Sequence, residues 1–517
     1  MSTTAPSAQA GPIPPSQRLQ WIDALRGFAL LGILLMNVEV FNRPYDAVSD
    51  GLDTAWHGLD HTVDWLIYVL VRTKFWILFS LLFGVGFALM LDRARASGRA
   101  FVGTYLRRTL VLLAFGALHG ILVWHGDILT SYAITALFLL LAMFGKFRHG
   151  LLLAVVLGVL AMVFRHPALV GYVIVLVMAG LSGLYVRGDR RFRLLGREWL
   201  LAPVLLALAG LAYLASDAFA QLMSDTPSDH FGLVVGVELL LLAWLGAKRR
   251  EPAQRRPLRF GVAWYALPFI ALALMSALAL YSPTPKGAQE QEQAAKMLQQ
   301  QQEERAEEAR ILSAGTYADA VDLRANRWGH DVAGAAASGL SIFFAVFLIG
   351  LWLVESGIIL EPARHLQELR WLCATGLSCG LLLSVGSAFL PTTLVPGVNE
   401  SAYLLQYFLH MLGALPLSLG YLALLLLAWQ SAAGKSCLAW LAPVGRMALT
   451  NYLMQSLVCG LFFYGYGLGH WGMPRAMQAV FCVALFAVQV VVSHAWLRHF
   501  RFGPMEWIWR RLTYGRA

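Results

Sequence analysis

Charge is what this sequence has least of: Asp, Glu, Lys and Arg make up 14% of its 517 residues, against 58% hydrophobic residues and a mean hydropathy of +0.62. A soluble globular domain carries roughly 25% charged residues, so a water-soluble protein is excluded. Cysteine is scarce too. The five present, Cys373, Cys379, Cys437, Cys459 and Cys482, lie mostly in apolar stretches and show no CxxC or Cys/His ligand spacing. That pattern excludes a disulfide framework, and no metal site is expected. The segment before Trp21 is polar and proline-containing, without the apolar core and small-residue cleavage site of a secretory signal, so the first helix is expected to stay uncleaved. The net charge of +10 comes from Arg and Lys in short blocks between apolar runs. Such blocks orient membrane segments, and a nucleic-acid partner is not expected.

What is abundant is apolar sequence of spanning length, roughly 20 residues per crossing. Candidate spans are Trp21–Phe41, Thr62–Leu91, Tyr105–Trp124, Ile128–Phe144, Leu151–Phe164, Ala168–Val186, Trp199–Met223, Phe231–Leu245 and Val262–Tyr281. After a polar stretch come Ala335–Val354, Trp371–Leu390, Tyr403–Trp429, Met447–Gly467 and Ala476–Leu497. The expected fold is an all-α polytopic transmembrane bundle of about 12–14 membrane helices. Basic loops, such as Arg93 to Arg108, Arg187 to Arg197 and Lys248 to Arg259, alternate with acidic or neutral ones such as Asp50 to Asp60, which predicts that both termini are cytoplasmic. The organisation expected is a cytoplasmic tail over 1–20, membrane helices over 21–282, an extracytoplasmic polar helical insert over 283–330, membrane helices over 331–497 and a basic cytoplasmic tail over 498–517. The insert reads as a spacer or a cover over the outer mouth. The lipid bilayer is the one partner that composition demands, and nothing in the sequence sets an oligomeric state.

A charge at membrane depth costs at least roughly 2.5–3.5 kcal/mol, so each one needs a partner or a task. The first span carries Asp23 and Arg26 on one face and Asn37 three turns on; the first two either pair at the boundary or contact a substrate. Arg72 and Lys74 sit inside the second span, and each requires an anion, from another helix or from a ligand. Gly84 and Gly86 are expected at close helix contacts. In GALHGILVWHGDILTSY, His119 ends one span and Asp127 begins the next. A carboxylate-oriented histidine is the arrangement of a general base, whereas a packed histidine beside a helix-capping aspartate is the plainer alternative. His125, in the turn, is expected to face solvent. Arg446, Asn451 and Gln455 share the penultimate helix, and the closing GPMEWIWRRLTYG reads as an interfacial anchor.

The motifs DALRGFALLGILLMN, KFWILFSLLFGVG, LHG with GDIL, GRMALTNYLMQS and GPMEWIWRRLTYG, in this order, resemble the YeiB-like family of bacterial membrane proteins, a domain of unknown function. The likeness covers about 18–132 and 335–515, with the spans of 151–281 read as an insertion. It implies residence in the bacterial cytoplasmic (inner) membrane. It also implies a distant grouping with transmembrane acyltransferases, which pass an acyl group from cytoplasmic acyl-CoA to an acceptor on the far side. One branch of these has a catalytic His eleven residues after an Arg of the first helix; here that position, counted from Arg26, is Asn37. Another branch has its working His in the following outer loop, where this chain offers His57 and His61.

The reading that follows is an acyltransferase with no permanently bound cofactor. Acyl-CoA is the donor, Asp23, Arg26, Asn37, Arg72, Lys74, Arg446, Asn451 and Gln455 are the substrate-side residues, and His119 with Asp127 is the catalytic pair. A transporter of a small anion or metabolite, with His119 and Asp127 as a proton-coupling pair, and a non-catalytic membrane subunit are the alternatives.

Overall fold

The computed structural model describes residues 19–515 apart from 54, 99, 165–166, 189, 195, 224–230, 248–252, 282–287, 338 and 396–397. Most of the N-terminal tail, the 224–230 loop and the basic run 248–250 therefore lie outside the described residues. The helices are α1 (Gln20–Asn42), α2 (Gly58–Leu70), α3 (Lys74–Ala96), α4 (Phe101–Leu122), α5 (Leu129–Phe144), α6 (Phe147–Phe164), α7 (Pro167–Arg187), α8 (Leu201–Met223), α9 (Phe231–Gly246) and α10 (Arg256–Tyr281). They continue as α11 (Ala288–Ala314), α12 (Tyr317–Ala337), α13 (Gly339–Glu355), α14 (Leu366–Ala388), α15 (Glu400–Ala428), α16 (Ala432–Ala439), α17 (Ala442–Arg446), α18 (Ala448–Phe463), α19 (Arg475–His499) and α20 (Pro504–Tyr514). Eight spans are long and apolar enough to cross a membrane, α2 and α3 counting as one, and six further apolar helices are shorter, at 10–17 residues. The protein is thus an all-α polytopic bundle. One expected span starts late: Trp199 belongs to a hairpin, β1 (Arg191–Leu194) with β2 (Arg197–Leu200), in which Arg193 faces Glu198. Cross-strand opposite charges favour that ribbon.

Helices close on each other where side chains vanish. A Cβ on Gly84 of α3 would strike the carbonyl of Phe347 on α13, and one on Gly350 would strike that of Leu81, the small-residue contact that membrane helices use. Gly86 does not share this role: its nearest neighbour would be the Arg26 guanidinium, 3.7 Å away.

The span over α2 and α3 is broken. Val71 to Thr73 leave the helix, and Thr73 has φ of 67°, a conformation costly for a β-branched residue. Backbone groups freed in hydrocarbon must be satisfied by protein, and they are. Tyr421 Oη donates to Leu70 O at 2.9 Å and Lys74 Nζ to Tyr68 O at 3.1 Å, while Thr73 Oγ1 donates to Arg72 O at 2.6 Å.

Beside the break lies a charge network. Glu39 of α1, 2% exposed, meets Arg72 at 2.7 Å, Arg475 at 3.1 Å and also Arg43. Asp64 takes Arg475 at 3.0 Å, and Asp53 takes Arg43 at 2.9 Å. Three guanidiniums thus face three carboxylates. Arg72 finds its anion inside the protein, in Glu39.

The insert is a helical pair, α11 and α12, docked on this same end of the bundle. Arg324 donates to Ile121 O and Leu122 O, at 3.1 and 3.2 Å, and Tyr317 donates to Leu122 O at 2.9 Å, satisfying carbonyls that the end of α4 leaves open. Glu308 is buried, accepts from Arg327 at 2.6 Å and from Tyr45 N–H at 3.2 Å, and lies 3.6 Å from His125. His125 is therefore not solvent-exposed as the turn suggested; α11 covers it, at 6% exposure. Burial, and after it the charges of Arg327 and Arg324, pushes the His125 imidazole down to about 3. Burial likewise raises the Glu308 carboxyl.

Two outcomes follow. Removing one partner of a buried ion network leaves the others uncompensated, at roughly 3–5 kcal/mol. Glu39→Gln should lower the thermal midpoint in detergent by a wide margin, while Glu292→Gln, in an exposed pair with Lys296, should leave it in place. A histidine kept neutral by folding stabilises above its unfolded pKa of about 6.5, and that contribution drains away as pH falls, because only the unfolded chain then takes the proton. Glu308, raised, acts in the opposite sense and offsets part of this. The midpoint should fall between about pH 7 and pH 5, and His125→Gln should flatten the fall.

Candidate functional site

The face of α4 organises the site. Tyr105, Arg108, Leu112, Gly116 and His119 recur every three or four residues, the spacing of one helical stripe. The first three line a cavity of ≈ 480 Å³ at the end of the bundle opposite the insert. The stripe continues past the cavity to His119.

At the mouth stand Arg26, Arg93, Arg108, Arg446 and Arg510, with Asp23 and Glu506 as the acidic members. Asp23 pairs with Arg26 at 3.1 Å. Glu506 is committed elsewhere: it accepts from the N–H groups of Leu449 and Thr450 at 2.7 and 3.1 Å and from Thr450 Oγ1 at 2.6 Å, capping the start of α18. The mouth therefore carries surplus positive charge. Arg108 lies 3.7 Å over the Trp509 ring, and Trp509 Nε1 donates to Arg108 O at 2.9 Å. These contacts fold α20 under the cavity as its floor, so the C-terminal stretch is a wall of the site as well as an amphipathic helix. Deeper in, Leu30, Ile33, Leu82, Phe83 and Leu129 make the lining apolar, and Tyr132, Ile128 and Tyr452 close the inner end.

Behind that end wall is the His–Asp pair. Nδ1 of His119 lies 2.8 Å from Asp127 Oδ1, and both side chains are 2% exposed. The other carboxylate oxygen accepts from Thr130 N–H at 2.8 Å and Thr130 Oγ1 at 3.0 Å. Asp127 thus caps the start of α5 and orients His119 at once, so the structural and the chemical reading of this residue hold together. An Nδ1–H donated to the carboxylate leaves the lone pair on Nε2, and Nε2 is buried with no hydrogen-bond partner among the described residues. A buried polar atom left open calls for an explanation. The Tyr452 ring is 5.3 Å from the His119 ring, and Tyr452 Oη accepts from Ile128 N–H at 3.4 Å. One tyrosine thus separates the cavity from the pair.

The other residues singled out in the sequence divide. Asp23, Arg26 and Arg446 are on the cavity. Asn37 is half-buried one turn beyond Ile33, the last cavity residue of α1. Asn451 donates to Val444 O at 3.1 Å and Ser493 Oγ at 3.0 Å, and Gln455 donates to Gln489 at 2.8 Å; both tie α18 to neighbouring helices. Arg72 and Lys74 belong to the helix break. Arg93, Arg108, Tyr452 and α20 were missed, although the α4 stripe was there to be read: Arg93 and Arg108 passed for orientation charges because loop arginines serve that purpose too.

Residues 353–516 match a family described as a protein of unknown function (DUF418), a stretch running from the end of α13 through α20. Along nearly its whole length the chain is similar to the uncharacterized protein YxaH of Bacillus subtilis (strain 168), at 27% identity over 509 residues, 97% of this chain and 96% of the relative. It is also similar to the uncharacterized protein YeiB of Escherichia coli (strain K12), at 26% identity over 496 residues, 95% of each chain. These matches bear out the family resemblance read from the motifs. No solved structure matches the chain.

Proposed function

We propose that this protein is a membrane acyltransferase. It takes an acyl group from acyl-CoA on the cytoplasmic side of the bacterial inner membrane and passes it to the hydroxyl or amine of a glycan or small acceptor from the other side. One observation carries the reading: a cavity with an arginine-rich mouth and an apolar interior ends at Tyr452 and Ile128, immediately in front of His119 and Asp127. The mouth suits the phosphates of coenzyme A, since guanidinium groups bind them in charge-assisted, bidentate fashion. The apolar interior suits the acyl chain. Arg108 and His119 are eleven residues apart on one helix, about 16 Å along its axis, a distance that an extended phosphopantetheine arm covers.

In this reading the mouth faces the cytoplasm, consistent with its positive charge. His119 Nε2 takes the proton of the acceptor hydroxyl or amine as that atom bonds to the thioester carbon. When the C–S bond breaks, the departing thiolate takes the same proton from the imidazolium, and Asp127 stabilises the cation in between. Tyr452 must turn aside for the thioester to arrive, which keeps bulk water from the pair between turnovers.

Calorimetry on the purified protein in detergent should show micromolar acyl-CoA binding that Arg26→Ala and Arg93→Ala each weaken by about tenfold. His119→Ala should retain binding and lose acceptor-dependent CoA release. No binding at millimolar acyl-CoA sinks the proposal, and flux of a small anion through sealed vesicles without CoA release would put a transporter in its place.

A further inference from the structure

The two faces of α20 differ in what they meet. Met505, Glu506, Trp509 and Thr513 share one face at helical spacing and turn into the protein: Met505 and Trp509 pack on the core, Thr513 is buried, and Glu506 caps α18. Trp507, Ile508, Arg511 and Leu512 make up the other face. There Trp507 is 45% and Leu512 55% exposed, and the Arg511 guanidinium lies 5.2 Å from the centre of the Trp507 ring. Arg511 is exposed and makes no ion pair among the described residues.

The outward charge of this segment has one sign. From Arg498 to Gly515 the only acid is Glu506, which is turned inward to Leu449 and Thr450. Arg498, Arg501 and Arg511 are exposed. The depth of α20 follows from α19, which is long and apolar enough to cross a membrane and exposes Val480, Val483, Val488, Val491 and Val492. The four residues Phe500 to Gly503 join the two helices, a link that reaches about 14 Å at most. It does not extend even that far, since Trp496 Nε1 donates to Phe502 O at 2.9 Å and folds the turn back onto α19. Thus α20 lies where α19 leaves the hydrocarbon, the level at which Trp is enriched. An amphipathic helix with Trp and Leu beside Arg binds in the plane of such an interface.

We propose that the outer face of α20 docks on anionic phospholipid headgroups of the adjoining leaflet. Trp507, Ile508 and Leu512 enter the boundary between headgroups and acyl chains, and Arg498, Arg501 and Arg511 meet the lipid phosphates. A zwitterionic surface offers the same apolar boundary without net negative charge, so three exposed arginines with no outward acid on the segment select an anionic one. The opposite face of α20 is a wall of the cavity, so the lipid also helps to hold that wall in place. The contact itself stands whether or not acyl transfer is observed.

A fluorophore on Leu512→Cys tests it, in full-length protein whose Cys373, Cys379 and Cys437 are replaced by serine, reconstituted in nanodiscs. In phosphatidylcholine mixed with phosphatidylglycerol, the probe should be quenched by a nitroxide carried near the lipid headgroup and shielded from aqueous acrylamide. In phosphatidylcholine alone both effects should weaken. Arg501→Gln and Arg511→Gln alter exposed side chains and should keep the wild-type thermal midpoint. Each should raise the phosphatidylglycerol content needed for half-maximal shielding about 5-fold, the equivalent of about 1 kcal/mol per arginine. A probe open to acrylamide in both compositions overturns the proposal, because the face then lies in water. Equal lipid quenching in both overturns it too, since headgroup charge then plays no part. Shielding from acrylamide without lipid quenching would put protein, such as a second copy of the chain, over the face and is equally fatal.

Discussion

Glu39 holds the insert end of this protein together because a charge in hydrocarbon must be answered by another charge. One carboxylate on α1 reaches arginines from three separate places: the loop after its own helix, the break between α2 and α3, and the start of α19. Asp64 and Asp53 then divide the remaining positive charge. Such a network contributes less to net stability than its contacts suggest, since each ion gives up its hydration. Its main effect is on register. Sliding any of these segments along the bilayer normal would bury an unpaired ion, so their depths are set together.

That fixed frame positions the two ends of the candidate site. At one end α20 folds beneath the cavity, held by Trp509 against Arg108 and by Glu506 at the start of α18. At the other, α12 caps the end of α4 just beyond His119. Between them α4 carries cavity wall and histidine on one stripe, so a shift in one is felt by the other. The covers differ in chemistry. The floor is aromatic and cationic, suited to a water-facing anion, while the insert end is closed by a buried carboxylate beside a neutral histidine.

Hydropathy alone found the membrane helices, because roughly 20 apolar residues have few other stable homes. His119 with Asp127, Asp23 with Arg26, and the helical insert were also legible: each is a local pattern, read within one or two turns of helix. His125 was misread for the same reason. Its cover, Glu308 of α11, is 183 residues away in the chain, and no local pattern reports such a neighbour. The hairpin at Trp199 was hidden because four-residue strands leave too short an alternation to compete with the apolar run that follows.

By itself, then, the sequence determined the class of protein, the helical type of its membrane segments and which polar residues needed an account, since these depend on composition and short-range periodicity. Tertiary structure decided how each account came out. It gave Arg72 an internal anion and Lys74 none among the described residues, set Arg93 and Arg108 on a cavity, and made α20 a floor. Those outcomes turn on distances between segments that lie from tens to hundreds of residues apart, which depend on how the helices pack against one another.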